Sequence, residues 1–271
     1  MKIFKNKLKL KKEISKANGI SFIPTMGGLH KGHLSLIKIA KNYKSKILIS
    51  IFVNPKQFNN KTDFDNYPRN IKNDLKILKK LRIDYVYLPS YSDIYDFKPK
   101  NKVYLNKFAK RLCGKYRKGH FEGVINVVNR FLEIIKPKYI YLGLKDFQQL
   151  TLINHHILKN KINTKVIQCK TIREKNGVAC STRNLNLDNN ELKIASNVYN
   201  YLSVLKKELA KNLRLFKLNN IKRDLVSFGV DKIDYLENIN LKNFKKTIKY
   251  KSKFKIFIAY YIKKTRIIDN I

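Results

Sequence analysis

Acidic residues are scarce in this chain: 19 Asp and Glu stand against 59 Lys and Arg among 271 residues. The formal charge is +40 and the pI is near 10.1. An excess of this size makes nucleic acid or an anionic membrane surface the first partner to consider. The basic residues are nevertheless spread along the whole chain and come with abundant Asn and Ile. Drift toward A- and T-rich codons leaves the same composition whatever the function. The charge alone decides nothing.

Cysteine is scarce too. Cys113, Cys169 and Cys180 lie far apart and form neither a CxxC pair nor a zinc-ligand spacing, as in a protein kept reduced. No apolar run approaches the roughly 18–20 residues of a membrane span. The Lys-rich start is not followed by a signal-peptide core. The expectation is a soluble, cytoplasmic protein with no membrane partner, in which the sequon Asn60-Lys61-Thr62 carries no meaning. Gly/Ser-rich linkers and internal repeats are also missing. Core material is not: 44% hydrophobic and 11% aromatic residues exclude a disordered or collagen-like chain. The length fits two compact domains or one large one.

The first two-thirds alternate short apolar runs with helical patterns. Strands are expected at Ile20–Ile23, ending at Pro24, and at Ile47–Val53, whose unbroken β-branched run fits burial on both faces of a parallel sheet. Two more are expected at Tyr85–Leu88 and Tyr139–Leu142. Ile71, Leu75, Leu78 and Leu81 share one helical face. Val124, Val127, Val128, Phe131, Ile134 and Ile135 share another, stopped by Pro137. This alternation predicts an α/β fold, a Rossmann-like, doubly wound parallel sheet with ligands bound beyond its strands' carboxyl ends. From about Thr171 a long helical stretch, a shorter one and strands at Ile233–Leu236 and Phe254–Ile262 predict a smaller α+β domain. The expected division is 1–170 and 171–271.

Residues 24–37, PTMGGLHKGHLSLI, carry the most specific pattern. A strand ends, two glycines turn the chain, and a helix begins near Gly32. His30 and His33, three apart, then project from the same side of the first turn. Backbone N–H groups there attract anions, Gly32 admits a phosphate, and two imidazoles can donate to a triphosphate. In SIFVNPKQFNN, residues 50–60, Asn54, Pro55 and Gln57 sit where amides can recognise hydroxyls and carboxylates, or where an Asn-Pro turn simply meets solvent. Asp74 is either a water-mediated contact to a divalent cation or an exposed helical Asp.

In LGLKDFQQL, residues 142–150, Gly143 turns the chain, Lys145 reaches phosphate and Asp146 accepts from ribose hydroxyls. Gln149 meets the same rim as Gln57 if their strands are neighbours. In YRKGHFEGV, Arg117 and His120 precede a helix; Gly114 and Gly119 have phosphate-loop spacing, but His120 stands where Lys is required. Ser181, Thr182 and Arg183 offer two hydroxyls and a guanidinium to an anion. No base signature marks Ser181 as a nucleophile.

Taken together, PTMGGLHKGHLSLI, SIFVNPKQF, FDNYPR, GHFEGV, GLKDFQQL and STRN resemble the pantothenate synthetase (pantoate–β-alanine ligase) family, in its order and approximate spacing. DYLE at 234–237 and KTRIIDN at 264–270 extend the likeness over nearly the whole chain. The HxGH element is shared with other adenylate-forming nucleotidyltransferases. The resemblance implies ATP- and Mg2+-dependent condensation of pantoate with β-alanine through a pantoyl adenylate, and a homodimer. It also implies a nucleotide- and pantoate-binding first domain and a lid-like second one.

By motif position, His30, His33, Lys145 and Arg183 would be catalytic. Met26, His33, Gly143, Lys145, Asp146, Ser181, Thr182 and Arg183 would bind ATP. Gln57, Gln149, Met26 and Arg117 would bind pantoate, Asp74 would lie near the metal, and Tyr67 would support the fold. No strong base is required, since adenylation works by positioning and charge stabilisation.

Several positions depart from the family's pattern. Leu144 replaces an acidic residue, Thr182 a Ser, Cys180 a common Met, Lys31 a frequent Glu and Lys263 a Gly. Asn73 leaves Asp74 without an acidic neighbour. None removes a residue assigned to chemistry. A different HxGH nucleotidyltransferase is disfavoured by the pairing of Gln57 with Gln149. An RNA-binding role is disfavoured because Phe52, Tyr85 and Tyr141 fall in core strand segments, so nucleic acid is not the expected partner.

Overall fold

The computed structural model describes residues 1–211, 217–246 and 253–271. They divide into two compact units, Met1–Thr171 and Ile172–Ile271.

The first unit carries strands β1 (Lys2–Phe4), β2 (Ile20–Thr25), β3 (Lys46–Ile51), β4 (Tyr85–Tyr87), β5 (Tyr139–Gly143) and β6 (Lys165–Cys169). Its helices are α1 (Lys7–Ile14), α2 (Lys31–Ala40), α3 (Lys61–Asp65), α4 (Ile71–Lys80), α5 (Tyr91–Tyr95), α6 (Cys113–Tyr116), α7 (His120–Ile135) and α8 (Phe147–Lys159). All six strands are parallel, in the order β1-β4-β3-β2-β5-β6. From β2 the chain steps through β3 to β4 on one side, then returns to β5 and β6 on the other. The order therefore reverses between β2 and β5, where a doubly wound sheet opens its ligand crevice.

Burial on both faces explains the unbroken apolar runs. In β2, Phe22 meets Phe131 of α7 at 5.5 Å between ring centroids. Its neighbour Ile23 joins Leu36 and Ile37 of α2 and Leu78 of α4 in one cluster. Successive residues point to opposite faces, so a strand between two helical layers needs apolar side chains at every position.

Some sequence expectations are corrected. β2 does not end at Pro24 but runs through it, with Pro24 in register with Ser50 of β3. Its pairing with β5 stops at Phe22, so the missing proline N–H falls where that side of the strand is open. β1 and β6 went unrecognised because both are short, mixed-polarity strands at the sheet's edges. The inner face of α4 is also shifted: Ile71 is exposed, and Asp74 and Leu78 are the buried pair.

The second unit holds α9 (Asn189–Lys211), α10 (Leu218–Ser227) and an antiparallel sheet β7 (Lys232–Asn240), β8 (Phe254–Ile262) and β9 (Thr265–Asn270). Val198, Leu202, Leu205 and Leu209 of α9 pack with Ile256, Ile258 and Tyr260 of β8. β9 is the KTRIIDN segment, closed onto β8 by a turn in which Lys263 has φ +48.

Candidate active site

Three neighbouring strands, β3, β2 and β5, deliver the site of the first unit at their carboxyl ends. β3 leads to Gln57, β2 to Met26, His30 and His33, and β5 to Lys145, Asp146 and Gln149. β3 and β5 are not neighbours, as their two glutamines would have required; both flank β2.

After β2 the backbone takes left-handed turns at Gly27 (φ +85) and Gly28 (φ +63), conformations only glycine adopts without strain. A Cβ on Gly27 would also sit 3.0 Å from Asp74 Oδ2. That closeness has a purpose, because the Asp74 carboxylate accepts N–H bonds from Gly28 at 2.9 Å and Leu29 at 2.8 Å. Asp74 is 1% exposed. It is therefore neither an exposed helical Asp nor open to a cation, and the metal expectation for it is corrected: its oxygens hold the loop. Among the described residues no cluster of three His, Cys, Asp or Glu could hold a metal.

The loop ends in a histidine cap. Helix α2 begins at Lys31, one residue before expectation, with His30 as its N-cap. His30 Nδ1 accepts from Gly32 N–H at 3.1 Å, and His33 Nδ1 accepts from His30 N–H at 3.3 Å. Gly32 N–H is thus engaged by His30 rather than open to a phosphate. An acceptor Nδ1 leaves the proton on Nε2, so both neutral rings present Nε2–H. The rings stack at 4.1 Å between centroids. Burial, then electrostatic interaction with the adjoining His30 ring and with Lys145, push the His33 pKa down to about 3. His33 is a neutral donor at physiological pH.

Lys145 lies 3.4 Å from the Asp146 carboxylate in a short turn after β5. Gly143 leads the chain into this turn with an ordinary φ of −76. The space its Cβ would occupy is open to 4 Å. The tandem glutamines that follow separate in role. Gln148 is buried, accepts from Cys113 N–H at 3.1 Å and donates to the carbonyls of Phe108 and Arg111 at 2.8 Å each. Gln149 is half-buried.

Gln57 closes the short turn Pro55–Gln57 and is buried, with its Nε2 directed at Met26 Sδ. Asn54 is a correction. It is 1% exposed, donates to Gly123 C=O at 3.2 Å, and accepts from Lys56 N–H at 3.2 Å and Tyr95 O–H at 2.8 Å. Asn54 therefore builds the turn, and the Asn-Pro pair before a helical turn, a capping signature, was the signal for it. Arg117 is held by Asn59 Oδ1 at 3.3 Å, the Gln57 carbonyl at 3.4 Å and Asp63 at 3.8 Å. Tyr67 is buried beside Phe58, in keeping with a supporting role.

Within the second unit, Ser181 caps the turn Thr182–Asn186 by accepting Arg183 N–H at 3.3 Å. Arg183 is half-buried and Thr182 is buried. Arg173 forks onto Asp269 at 2.6 and 3.0 Å, joining the hairpin that precedes Ser181 to β9.

The fold and first-unit site define a doubly wound α/β protein with a histidine-capped helix at the switch point of its sheet. The pantoate-beta-alanine ligase family model matches residues 2–271, and the chain belongs to that family. Among curated relatives, the pantothenate synthetase of Ruthia magnifica is 41% identical over 93% of this chain and 90% of its own. That of Fervidobacterium nodosum is 38% identical over 96% of this chain and 93% of its own. A Francisella tularensis pantoate-beta-alanine ligase, solved with beta-gamma ATP and beta-alanine, has a TM-score of 0.84 at 37% identity, covering 100% of this chain and 97% of its own. A Thermus thermophilus pantothenate synthetase has a TM-score of 0.89 at 27% identity, covering 100% of this chain and 99% of its own. No described helix is long and apolar enough to cross a membrane.

Proposed function

We propose that this chain condenses pantoate with β-alanine to pantothenate, consuming ATP and releasing AMP and pyrophosphate through a pantoyl adenylate. Family membership over residues 2–271 supports the reaction. The observation that carries the site is the histidine pair at the switch point: two stacked imidazoles, each with Nδ1 engaged by backbone, which keeps the proton of the neutral ring on Nε2.

In this reading the pantoate carboxylate attacks the α-phosphate and pyrophosphate leaves. The β-alanine amine then attacks the acyl carbon, forming the amide and releasing AMP. His30 and His33 donate to the phosphates as charge builds on them, and their pinned rings need no reorganisation at that moment. Lys145, Ser181 and Arg183 hold the triphosphate, with Thr182 serving through its backbone since its side chain is buried. Asp146 receives the ribose and Gly143 leaves room for the nucleotide. Gln57 and Gln149 hold pantoate, with Met26 lining that subsite and Arg117 steadying it.

Magnesium would be held chiefly by the triphosphate, needing few protein carboxylates, and would neutralise phosphate charge. Asp74 does not fit as its ligand, and no step is routed through the ion. Two copies associate.

The test is pyrophosphate release from ATP and magnesium with pantoate, with and without β-alanine. Pantoate alone should give a burst of about one pyrophosphate per site, and β-alanine should convert it to turnover. His33→Ala should slow the burst about 10²-fold, the scale of one lost transition-state donor. A folded wild-type protein that releases no pyrophosphate would refute the reading.

A further inference from the structure

The first turn of α7 packs directly against the turn that carries Gln57. A Cβ on Gly123 would lie 2.1 Å from the Lys56 carbonyl oxygen and 2.8 Å from Gln57 Cα. His120, three residues earlier on the same helical face, is buried and bonds the Gln57 carbonyl through Nδ1 at 2.7 Å. Its other ring nitrogen, Nε2, faces Arg117 Nη1 at 3.2 Å, and Arg117 Nη2 reaches the same carbonyl at 3.4 Å.

These contacts leave one protonation state. A carbonyl oxygen only accepts, so Nδ1 carries a proton; a guanidinium only donates, so Nε2 does not. His120 is then neutral and in the Nδ1–H form, held there by a fixed donor on one side and a fixed acceptor on the other. A doubly protonated ring would turn Nε2–H against the Arg117 guanidinium, two donors with no acceptor between them.

We propose that His120 is a positioning residue for pantoate recognition, a role that rests on the pantoate-ligase reading. Its Nδ1–H, backed by Arg117, fixes the Gln57 carbonyl and so the last peptide of the turn. The Gln57 side chain, already directed at Met26, is thereby aimed at the pantoate subsite. Gly123 supplies the close approach that lets the helix reach the turn. His120 need not touch substrate to act; it removes the freedom of the group that does.

Isosteric variants separate this from general packing. Asn places its amide nitrogen near the position of Nδ1, and Gln places its own near Nε2. His120→Asn should therefore keep KM for pantoate within about threefold, whereas His120→Gln and His120→Ala should raise it about 10- to 100-fold, the scale of an ångström-level misplacement. KM for ATP should move less than about twofold in all three. Thermal unfolding identifies any variant that fails to fold. A 15N NMR spectrum of the wild type, read through the ring nitrogens, tests the arrangement independently and should show His120 protonated at Nδ1 and bare at Nε2.

An unchanged pantoate KM in folded His120→Ala, equal damage to both KM values, or an Nε2–H ring would overturn the proposal. If wild type releases no pantoate-dependent pyrophosphate while the Nδ1–H signature is present, the ligase reading fails and the His120–Gln57 clamp stands only as architecture.

Discussion

The Asp74 carboxylate binds the N–H of Gly28 at 2.9 Å across 46 residues of sequence, tying helix α4 to the loop that presents the histidine pair. A second bond, to Leu29 at 2.8 Å, makes the grip two-pronged. The chain places a charged residue on the inner face of an amphipathic helix, at some cost in solvation, and recovers it through two charge-assisted bonds. The loop of Gly27 and Gly28 would otherwise be among the least constrained backbone in the unit.

Removing that carboxylate should loosen the histidines. Asp74→Ala takes the charged acceptor from two part-buried N–H groups and should lower stability by about 2–4 kcal/mol. Asp74→Asn keeps the volume but turns one donor toward another, so it should lose nearly as much. Urea unfolding measures the first effect, and burst-phase pyrophosphate release measures the loss of His30 and His33 geometry. Full activity in Asp74→Asn would show that the staple does not set the histidines.

Acid should unfold the protein through two histidines. Burial and neighbouring charge hold the His33 pKa near 3, and burial holds that of His156 near 4, against 6.5 for an unconstrained ring. His156 is fully buried, accepting Tyr104 N–H at Nδ1 and donating from Nε2 to Asn129. Both pKa values are lowered on folding, so the unfolded chain binds the extra protons. Stability is then full above pH 6.5 and falls as pH drops from 6.5 toward 4, with up to two protons taken up on unfolding from these rings. Urea titrations across that range measure the uptake. His156→Gln should remove one proton from it, and an unchanged slope would show that His156 ionises freely in the fold.

Gly143 separates folding from ligand binding. Its φ of −76 suits any residue, and nothing lies within 4 Å of an added Cβ. Gly143→Ala should leave the unfolding midpoint unchanged or raise stability by about 0.5 kcal/mol. If the nucleotide lies against this backbone, KM for ATP should rise about tenfold or more, the cost of a methyl in a tight site. Unchanged ATP kinetics would move the nucleotide elsewhere.

The β8–β9 turn carries a strained lysine. Lys263 has φ +48, while its Nζ lies 3.0 Å from Glu191 and 3.3 Å from Asp188. Glycine at this position would relieve about 1 kcal/mol of backbone strain and forfeit the two ion pairs of an exposed lysine, which salt screens. Lys263→Gly should therefore be close to neutral at low salt and stabilising at about 1 M salt, where the pairs are screened. Thermal unfolding at both ionic strengths reads the difference; a destabilisation that persists in salt would show that the ion pairs are not what offsets the strain.

The sequence by itself determined the fold class and the family motifs that mark the candidate site. Strand residues such as Ile47–Ile51 must be apolar throughout when helices cover both faces, and that demand is legible as an unbroken run. The HxGH spacing fixes the histidines at a helix start, because three residues is one helical turn. Edge strands β1 and β6 escaped because a strand of mixed polarity at a sheet's rim has no such periodic signature.

Partner choice, by contrast, was settled only by the tertiary structure. Nothing local distinguishes a carboxylate that meets solvent from one that staples a loop 46 residues away, as Asp74 does. Nor does sequence say which of Gln148 and Gln149 turns inward, or that the Gly123 backbone must admit the Lys56 carbonyl. Period and propensity act over a few residues and leave a pattern in the chain. Hydrogen-bond partners across the fold depend on how the packed helices bring distant side chains together, and that is decided only when the sheet is closed on both faces.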